Sequence, residues 1–279
     1  MLLAALRYAL FALLAVVGPG LALQWLARVA AADPALVLPL GLAFTAGAYW
    51  LSLVSGIPAL FPVLVAAVCL AGFLRRRPAE GWTGPGLRGA ALPIGLTVAL
   101  LAVTQYGGNR VSASGEFLLD NLVPYDTAFH VGLTRELTLG YPPQVPGVSG
   151  FPLGYHLGPD LVRAAALRWA GVDPYDSISR LDVTLGAIAL ILALRAVTAA
   201  VGGSPLAVGL AGFIPLLTDF SFVFAANPQA HWWADLLRGN LLVSLALSNP
   251  VIPALAMTLG VLVVLERRTT GALGFTLPA

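Results

Sequence analysis

The chain has 279 residues, 58% of them hydrophobic and 10% charged, with a mean hydropathy of +0.87. A soluble domain carries about 25% charged residues and about 45–50% apolar ones, so this composition excludes an ordinary soluble enzyme, a disordered chain and a nucleic-acid binder. All fifteen basic residues are arginine, and a net charge of +2 gives no strong attraction for a polyanion. The single cysteine, Cys69, excludes a disulfide framework and, inside an apolar run, reads as a small buried hydrophobe. What remains is an integral membrane protein, and Arg-only basic usage with much Ala, Gly and Leu suits a GC-rich prokaryote.

Crossing about 30 Å of hydrocarbon takes roughly 20 apolar residues in a helix. Seven stretches meet or approach this: Tyr8–Ala27, Ala35–Val54, Ile57–Leu74, Ala90–Gly107, Val183–Val201, Leu206–Ala225 and Leu241–Val264. Backbone groups in lipid must pair within their own segment, and continuous Leu, Ala and Val runs lack the alternation of barrel strands, so these read as helices. The second and third are separated by Ser55-Gly56, with Pro58 opening the third: either a tight turn or a broken, re-entrant element. The first is longer than a signal-peptide core, and only Arg7 precedes it, so it reads as a retained helix.

Short loops keep their arginines on the cytoplasmic side. Arg75, Arg76, Arg77 and Arg88 lie between spans three and four, and Arg267 and Arg268 follow span seven. Alternation then places 108–182 and the shorter 226–240 outside, with the amino terminus outside as well. The expected organisation is a membrane part over 1–107, an extracytoplasmic loop over 108–182, and a second membrane part over 183–279. The last residues resemble the opening of a further span, so a longer parent chain is expected.

The loop 108–182 holds eight of the thirteen acidic residues, Glu116, Asp120, Asp126, Glu136, Asp160, Asp173, Asp176 and Asp182, together with His130 and His156. The third histidine, His231, lies in the other outward loop. From Asp126 to Leu139 the pattern is helical, with Phe129, Leu133 and Leu137 on one stripe and Asp126 and His130 four apart on one face. Gly140 and Pro142-Pro143 stop it. The segment is too short and polar to span, so it is expected to lie on the membrane surface with its stripe down. A proline-rich connector through Gly150-Phe-Pro-Leu-Gly-Tyr155-His156 fixes Tyr155 and His156 at low entropic cost. Gly158-Pro159-Asp160 opens a second short helix through Trp169, a residue suited to the membrane interface.

These features resemble the GT-C-type glycosyltransferases, polytopic enzymes that use polyprenyl-phosphate sugars. The resemblance rests on the "YDTAFH" segment, the surface helix, the "GYPP" turn, the "FPLGYH" segment and the second short helix before the next span. It covers residues 115–182, about a quarter of the chain. It implies an all-α polytopic membrane fold with about seven spans and a long extracytoplasmic loop carrying short surface helices. The activity implied is transfer of a sugar from a polyprenyl-phosphate donor to a glycan, lipid or protein acceptor. The loop acid of that family acts as general base or helps bind a divalent cation. Asp126 matches its position, and Asp120 is the second candidate. The family usually carries this acid in the first outward loop, whereas here four spans precede it.

Each residue also has a plainer reading. Asp126 is equally a helix N-cap or first-turn acid. As a base it would accept a proton from a sugar hydroxyl, and as a ligand it would hold Mg²⁺ or Mn²⁺ through oxygen. His130 is a catalytic or metal candidate beside Asp126, or an ordinary hydrogen-bonded histidine. His156, Tyr155 and His231 are candidate substrate contacts. Arg163 and Arg238 are candidate phosphate holders, against headgroup contact or pairing with Glu136 or Asp160. Trp232 and Trp233 mark an interface or stack on a sugar, Asp219 lies near the outer end of span six, and Arg195 inside span five snorkels to the cytoplasmic edge. Phosphate-loop, HExxH and GxSxG motifs are absent. The alternatives to a transferase are a transporter or flippase for a lipid-linked or small polar substrate, and a non-catalytic membrane assembly subunit.

Overall fold

The computed structural model describes residues 2–27, 33–75, 88–102, 110–111, 117–118, 127–216, 255–256 and 258–263. Their regular structure is helical apart from one antiparallel pair, β1 (Arg110–Val111) and β2 (Phe117–Leu118). The helices are α1 (Leu2–Leu26), α2 (Pro34–Val54), α3 (Leu60–Arg75), α4 (Ala91–Leu101), α5 (Thr127–Leu139), α6 (Gly158–Ala170), α7 (Pro174–Ala200) and α8 (Pro205–Ala211). Among the described residues α1, α2 and α7 are long and apolar enough to cross a membrane, whereas α3 and α4 are apolar but shorter. The chain forms two compact units, one from Met1–Trp82 and Val123–Asp182, the other from Thr83–Leu122 and Val183–Ala279.

In the first unit α1, α2 and α3 pack closely because glycine stands where they cross. A Cβ on Gly20 would lie 1.9 Å from the Val37 carbonyl oxygen, and one on Gly41 would lie 1.9 Å from that of Val16. Gly72 approaches Ala22 of α1 in the same way, a Cβ there falling 2.5 Å from the Ala22 Cα. Small residues at crossings let backbones touch where lipid supplies no hydrophobic drive.

Pro19 explains a further contact. It has no N–H to give the carbonyl four residues back, that of Ala15. Ahead of it the helix widens into a π segment, Ala12–Val17, in which the Gly18 N–H reaches the Leu13 oxygen. The freed Ala15 carbonyl accepts from the Thr45 hydroxyl of α2, the kind of neighbour rescue that makes proline tolerable in membrane helices. At the other end of this helix pair Gln24 exchanges hydrogen bonds with the Asp33 backbone, at 2.7 and 3.2 Å, while the Asp33 carboxylate caps the Ala35 N–H at 2.9 Å.

The ambiguous segment between the second and third apolar stretches is a tight turn. α2 ends at Val54, Gly56 takes φ +66°, and α3 starts at Leu60 and packs back on α2. The α2–α3 turn therefore lies at the same end as Arg7 and Tyr8 of α1, and Arg75 closes α3 at the opposite end.

α5 and α6 fold over that first end. They run in the same direction, with His130 meeting Asp160 near their starts and the Thr138 carbonyl meeting Arg168 near their ends. The last carbonyls of a helix lack internal partners. Here Tyr49 of α2 and Arg168 of α6 supply them, to Leu137 at 3.3 Å and Thr138 at 2.8 Å. Between the helices, residues 140–157 fold back on themselves, the Leu153 and Val145 N–H groups reaching the Pro143 and Phe151 carbonyls at 2.8 and 2.9 Å. Gly147 and Gly150 occupy positive φ in this fold-back.

The apolar stripe of α5 does not face lipid as the sequence led us to expect. Leu133 and Leu137 are fully buried within the unit, and α6 is buried continuously from Asp160 to Ala166. Periodicity marks which face is buried but not what covers it. Aromatic rings gather at the same end: Trp50 meets Tyr141 edge-on at 6.3 Å, and Phe61 stacks with Trp169 at 6.2 Å.

In the second unit Leu101, Ala187 and Leu190 form a small core with Leu194 and Leu259 against it. Arg195 does not extend to solvent. It is buried and donates to the carbonyls of Gly89 at 2.8 Å and Val208, within α8, at 3.2 Å. Of the remaining expected spans, the sixth is helical through Ala211, turns at Gly212 and continues as a 3-10 turn over Ile214–Leu216. Residues 217–254 lie outside the described residues.

Candidate functional site

The polar residues of the first unit converge beneath α5 and α6. Arg163 lies at the centre and bridges two carboxylates. Its Nη1 donates to Asp160 Oδ1 at 2.8 Å and its Nε donates to Asp182 Oδ2. Asp160 Oδ2 lies 2.9 Å from His130 Nδ1, and Thr134 reaches Asp160 Oδ1 at the long limit of 3.5 Å. Asp182 Oδ1 accepts from Ser177 at 2.9 Å and from the Tyr8 hydroxyl. One continuous chain of charge-assisted hydrogen bonds thus joins α1, α5, α6 and the start of α7.

Local sequence sets each member in place. Gly158-Pro159 starts α6, so Asp160 falls in its first turn, where the helix dipole favours an anion. Arg163 is three residues on and shares that face. Asp173 caps the start of α7 through the Tyr175 N–H at 2.9 Å. A π segment then covers Ser177–Leu181, and the Asp182 N–H reaches back to the Ser177 oxygen. Such widened turns recur at functional sites.

The cluster is largely dry: the side chains of Asp160, His130 and Arg163 are 1%, 3% and 4% exposed, and Asp182 is 17% exposed. Charges removed from water at this depth persist only when paired. Burial works against the Arg163 charge, but Asp182 and Asp160 more than offset it, so its pKa lies above the ordinary arginine value. Arg163 is a permanent cation.

His130 opens the cluster toward a ring group near the surface. Its ring lies 5.5 Å from Phe129 and 5.9 Å from Tyr155, and Tyr155 stacks on the exposed His156 at 3.9 Å. Two ion pairs flank the start of α7: Arg135 with Asp173, both half-exposed or more, and Arg180 with Asp176, with Arg180 also over the Tyr175 ring at 5.8 Å.

Of the residues singled out in the sequence, His130 and Arg163 join this cluster, and Tyr155 and His156 form the stacked pair beside it. Arg163 adopts the Asp160 pairing that was the alternative to holding phosphate. Asp120, Asp126, His231, Arg238, Asp219, Trp232 and Trp233 lie outside the described residues. Among the described residues no three His, Cys, Asp or Glu side chains converge as a metal site. Tyr8, Ser177 and Asp182 were not singled out as members of a site. Only the i, i+3 spacing of Asp160 and Arg163 signalled a pair in advance.

Comparison with protein-family models, with characterised proteins and with solved structures finds no match.

Proposed function

We propose that the chain is a polytopic membrane glycosyltransferase of the GT-C type, with about seven spans, acting at the outer face of a prokaryotic plasma membrane. It would move a sugar from a polyprenyl-phosphate donor to a glycan, lipid or protein acceptor. The observation that carries this reading is the buried anchoring of α5. Its first residue, Thr127, follows Asp126 directly, and one turn later His130 is tied through Asp160 and Arg163 to the membrane helices. General-base catalysis and metal ligation both require a carboxylate on a fixed support, and α5, which begins one residue after Asp126, is such a support. The donor's lipid tail would lie between helices, and Asp126 would take the acceptor proton or bind Mg²⁺ or Mn²⁺.

The test is transfer of labelled sugar in proteoliposomes supplied with polyprenyl-phosphate hexoses and pentoses, with and without divalent cation. The wild-type chain is expected to transfer, and Asp126→Asn to lose at least about 100-fold, the smaller end of what a general base contributes. Transfer from none of these donors refutes the reading, while full activity in the variant removes Asp126 from it. One observation favours a second reading, a non-catalytic assembly subunit: His130 and Arg163 spend their known contacts on each other's partners inside the fold.

A further inference from the structure

His130 has two ring nitrogens in different surroundings. Nδ1 lies 2.9 Å from Asp160 Oδ2, whereas Nε2 makes no hydrogen bond to any described residue, although the side chain is 3% exposed. Asp160 faces the permanent cation Arg163 at 2.8 Å, so its carboxylate is the acceptor and Nδ1 carries the hydrogen. Nε2 of the neutral ring then holds a lone pair. A buried carboxylate that fixes one imidazole nitrogen as donor readies the other to accept a proton. The charge count agrees. One guanidinium faces two carboxylates, Asp160 and Asp182, so an imidazolium at His130 brings the cluster to neutrality. Phe129 and Tyr155 wall the ring with apolar surface, and the connector that carries Tyr155 and His156 leads to the exterior.

We propose that His130 Nε2 is the proton acceptor of the reaction, that Asp160 is its positioning residue, and that the group deprotonated is a hydroxyl. This rests on the transferase reading and leaves Asp126 to bind the cation or the acceptor. In the step, the hydroxyl oxygen forms a bond to the anomeric carbon. The bond from that carbon to the phosphate oxygen breaks, and its electron pair departs with the polyprenyl phosphate. The hydroxyl proton moves to Nε2, and no electron is exchanged with any oxidant or reductant.

Other charged and titratable groups surround His130. Arg135 and Glu136 share α5 with His130. Asp160 and Arg163 face it from α6, and Tyr155 and His156 from the connector. Asp173, Tyr175, Asp176 and Arg180 come from the start of α7, where Arg135–Asp173 and Arg180–Asp176 are already paired.

The first measurement needs no change at His130. The chain is labelled with ¹⁵N-histidine in lipid nanodiscs, and long-range ¹H–¹⁵N spectra report the tautomer of each of its three histidines. His156→Gln and His231→Gln assign His130 by elimination. The expected result is hydrogen on Nδ1 of neutral His130, changing to a mixture in Asp160→Asn and restored in Asp160→Glu. Hydrogen on Nε2 in the wild-type chain overturns the proposal. The second measurement is transfer. His130→Gln is expected to lose about 10²–10⁴-fold, the range for general acid–base groups. Asp160→Asn is expected to lower kcat with little change in KM and to displace the acid limb of the pH profile. Wild-type transfer with an undiminished His130→Gln overturns this proposal alone. Absence of transfer by the wild-type chain overturns the transferase reading and this proposal with it.

Discussion

Arg163→Met isolates the physics of the buried cluster. Methionine keeps much of the stem's packing and removes the charge. Two carboxylates then face each other without a cation, Asp160 at 1% exposure and Asp182 at 17%. Breaking a buried pair from one side costs about 3–5 kcal/mol. Asp182 keeps Tyr8 and Ser177 as donors and meets some water, and Asp160 keeps His130, so the low end of that range, about 3 kcal/mol, is expected. Restoring balance by removing the carboxylates as well, in Asp160→Asn/Arg163→Met/Asp182→Asn, is expected to recover about 2 kcal/mol, because a neutral cluster carries no stranded charge. The assay is denaturant unfolding in mixed micelles followed by tryptophan fluorescence. The pH dependence follows from Arg163 itself. Its folded-state pKa is raised, so its contribution is full below the ordinary arginine value and is lost only as pH climbs past the folded one. The Arg163→Met penalty contains no Arg163 titration between about pH 6 and about pH 9. A penalty under about 1 kcal/mol, or a triple variant no more stable than the single, refutes the reasoning.

Three further outcomes are expected. Gly41→Ala puts a Cβ 1.9 Å from the Val16 carbonyl oxygen and should cost at least about 3 kcal/mol, whereas Gly47→Ala, in the same helix with open space around it, should be neutral or slightly stabilising; comparing their unfolding midpoints checks both. In a Cys69→Ala background, Ser55→Cys and Ala128→Cys should react with a membrane-impermeant maleimide from the outer face and Arg75→Cys from the inner face only; reaction of Ser55→Cys and Arg75→Cys from the same face would contradict the α2–α3 turn. Arg135→Ala removes a pair that is 63% and 51% exposed and should shift stability by no more than about 1 kcal/mol in the same unfolding assay.

Local chemistry in this chain was legible where the cause is local. Gly140 and the following prolines stop α5 at Leu139, and Gly158-Pro159 starts α6. The apolar runs mark α1, α2 and α7 because length and composition alone decide whether a helix can span. The Ser55-Gly56 sequence alone does not decide between a turn and a broken helix, since both use the same residues; the packing of α3 on α2 does. The destination of the α5 stripe was misjudged for a related reason. Leu133 and Leu137 are buried within the fold, and a stripe looks the same whichever apolar medium covers it. The cluster was less visible still. Asp160 and His130 are 30 positions apart, and Asp182 and Tyr8 are 174 apart, so no spacing rule joins them.

Those long separations bear on why the cluster is buried at all. A fully apolar core would serve stability as well or better, since desolvating two carboxylates and a guanidinium costs several kcal/mol per ion before pairing returns it. What ions add is direction. Apolar stripes let α5 slide along α6 by a turn at small cost, whereas Asp160 of α6 accepts from His130 of α5 in one register only. Asp182 does the same for α7 against α1 through Tyr8 and against α6 through Arg163. The structure therefore ties the start of α5 to α6 directly and through Arg163 and Asp182 to α7 and α1, next to the acid for which a chemical role has been argued. If register is the purpose, Leu133→Met should leave the His130 tautomer unchanged while Asp182→Asn alters it. Equal sensitivity to both would mean that packing alone holds α5.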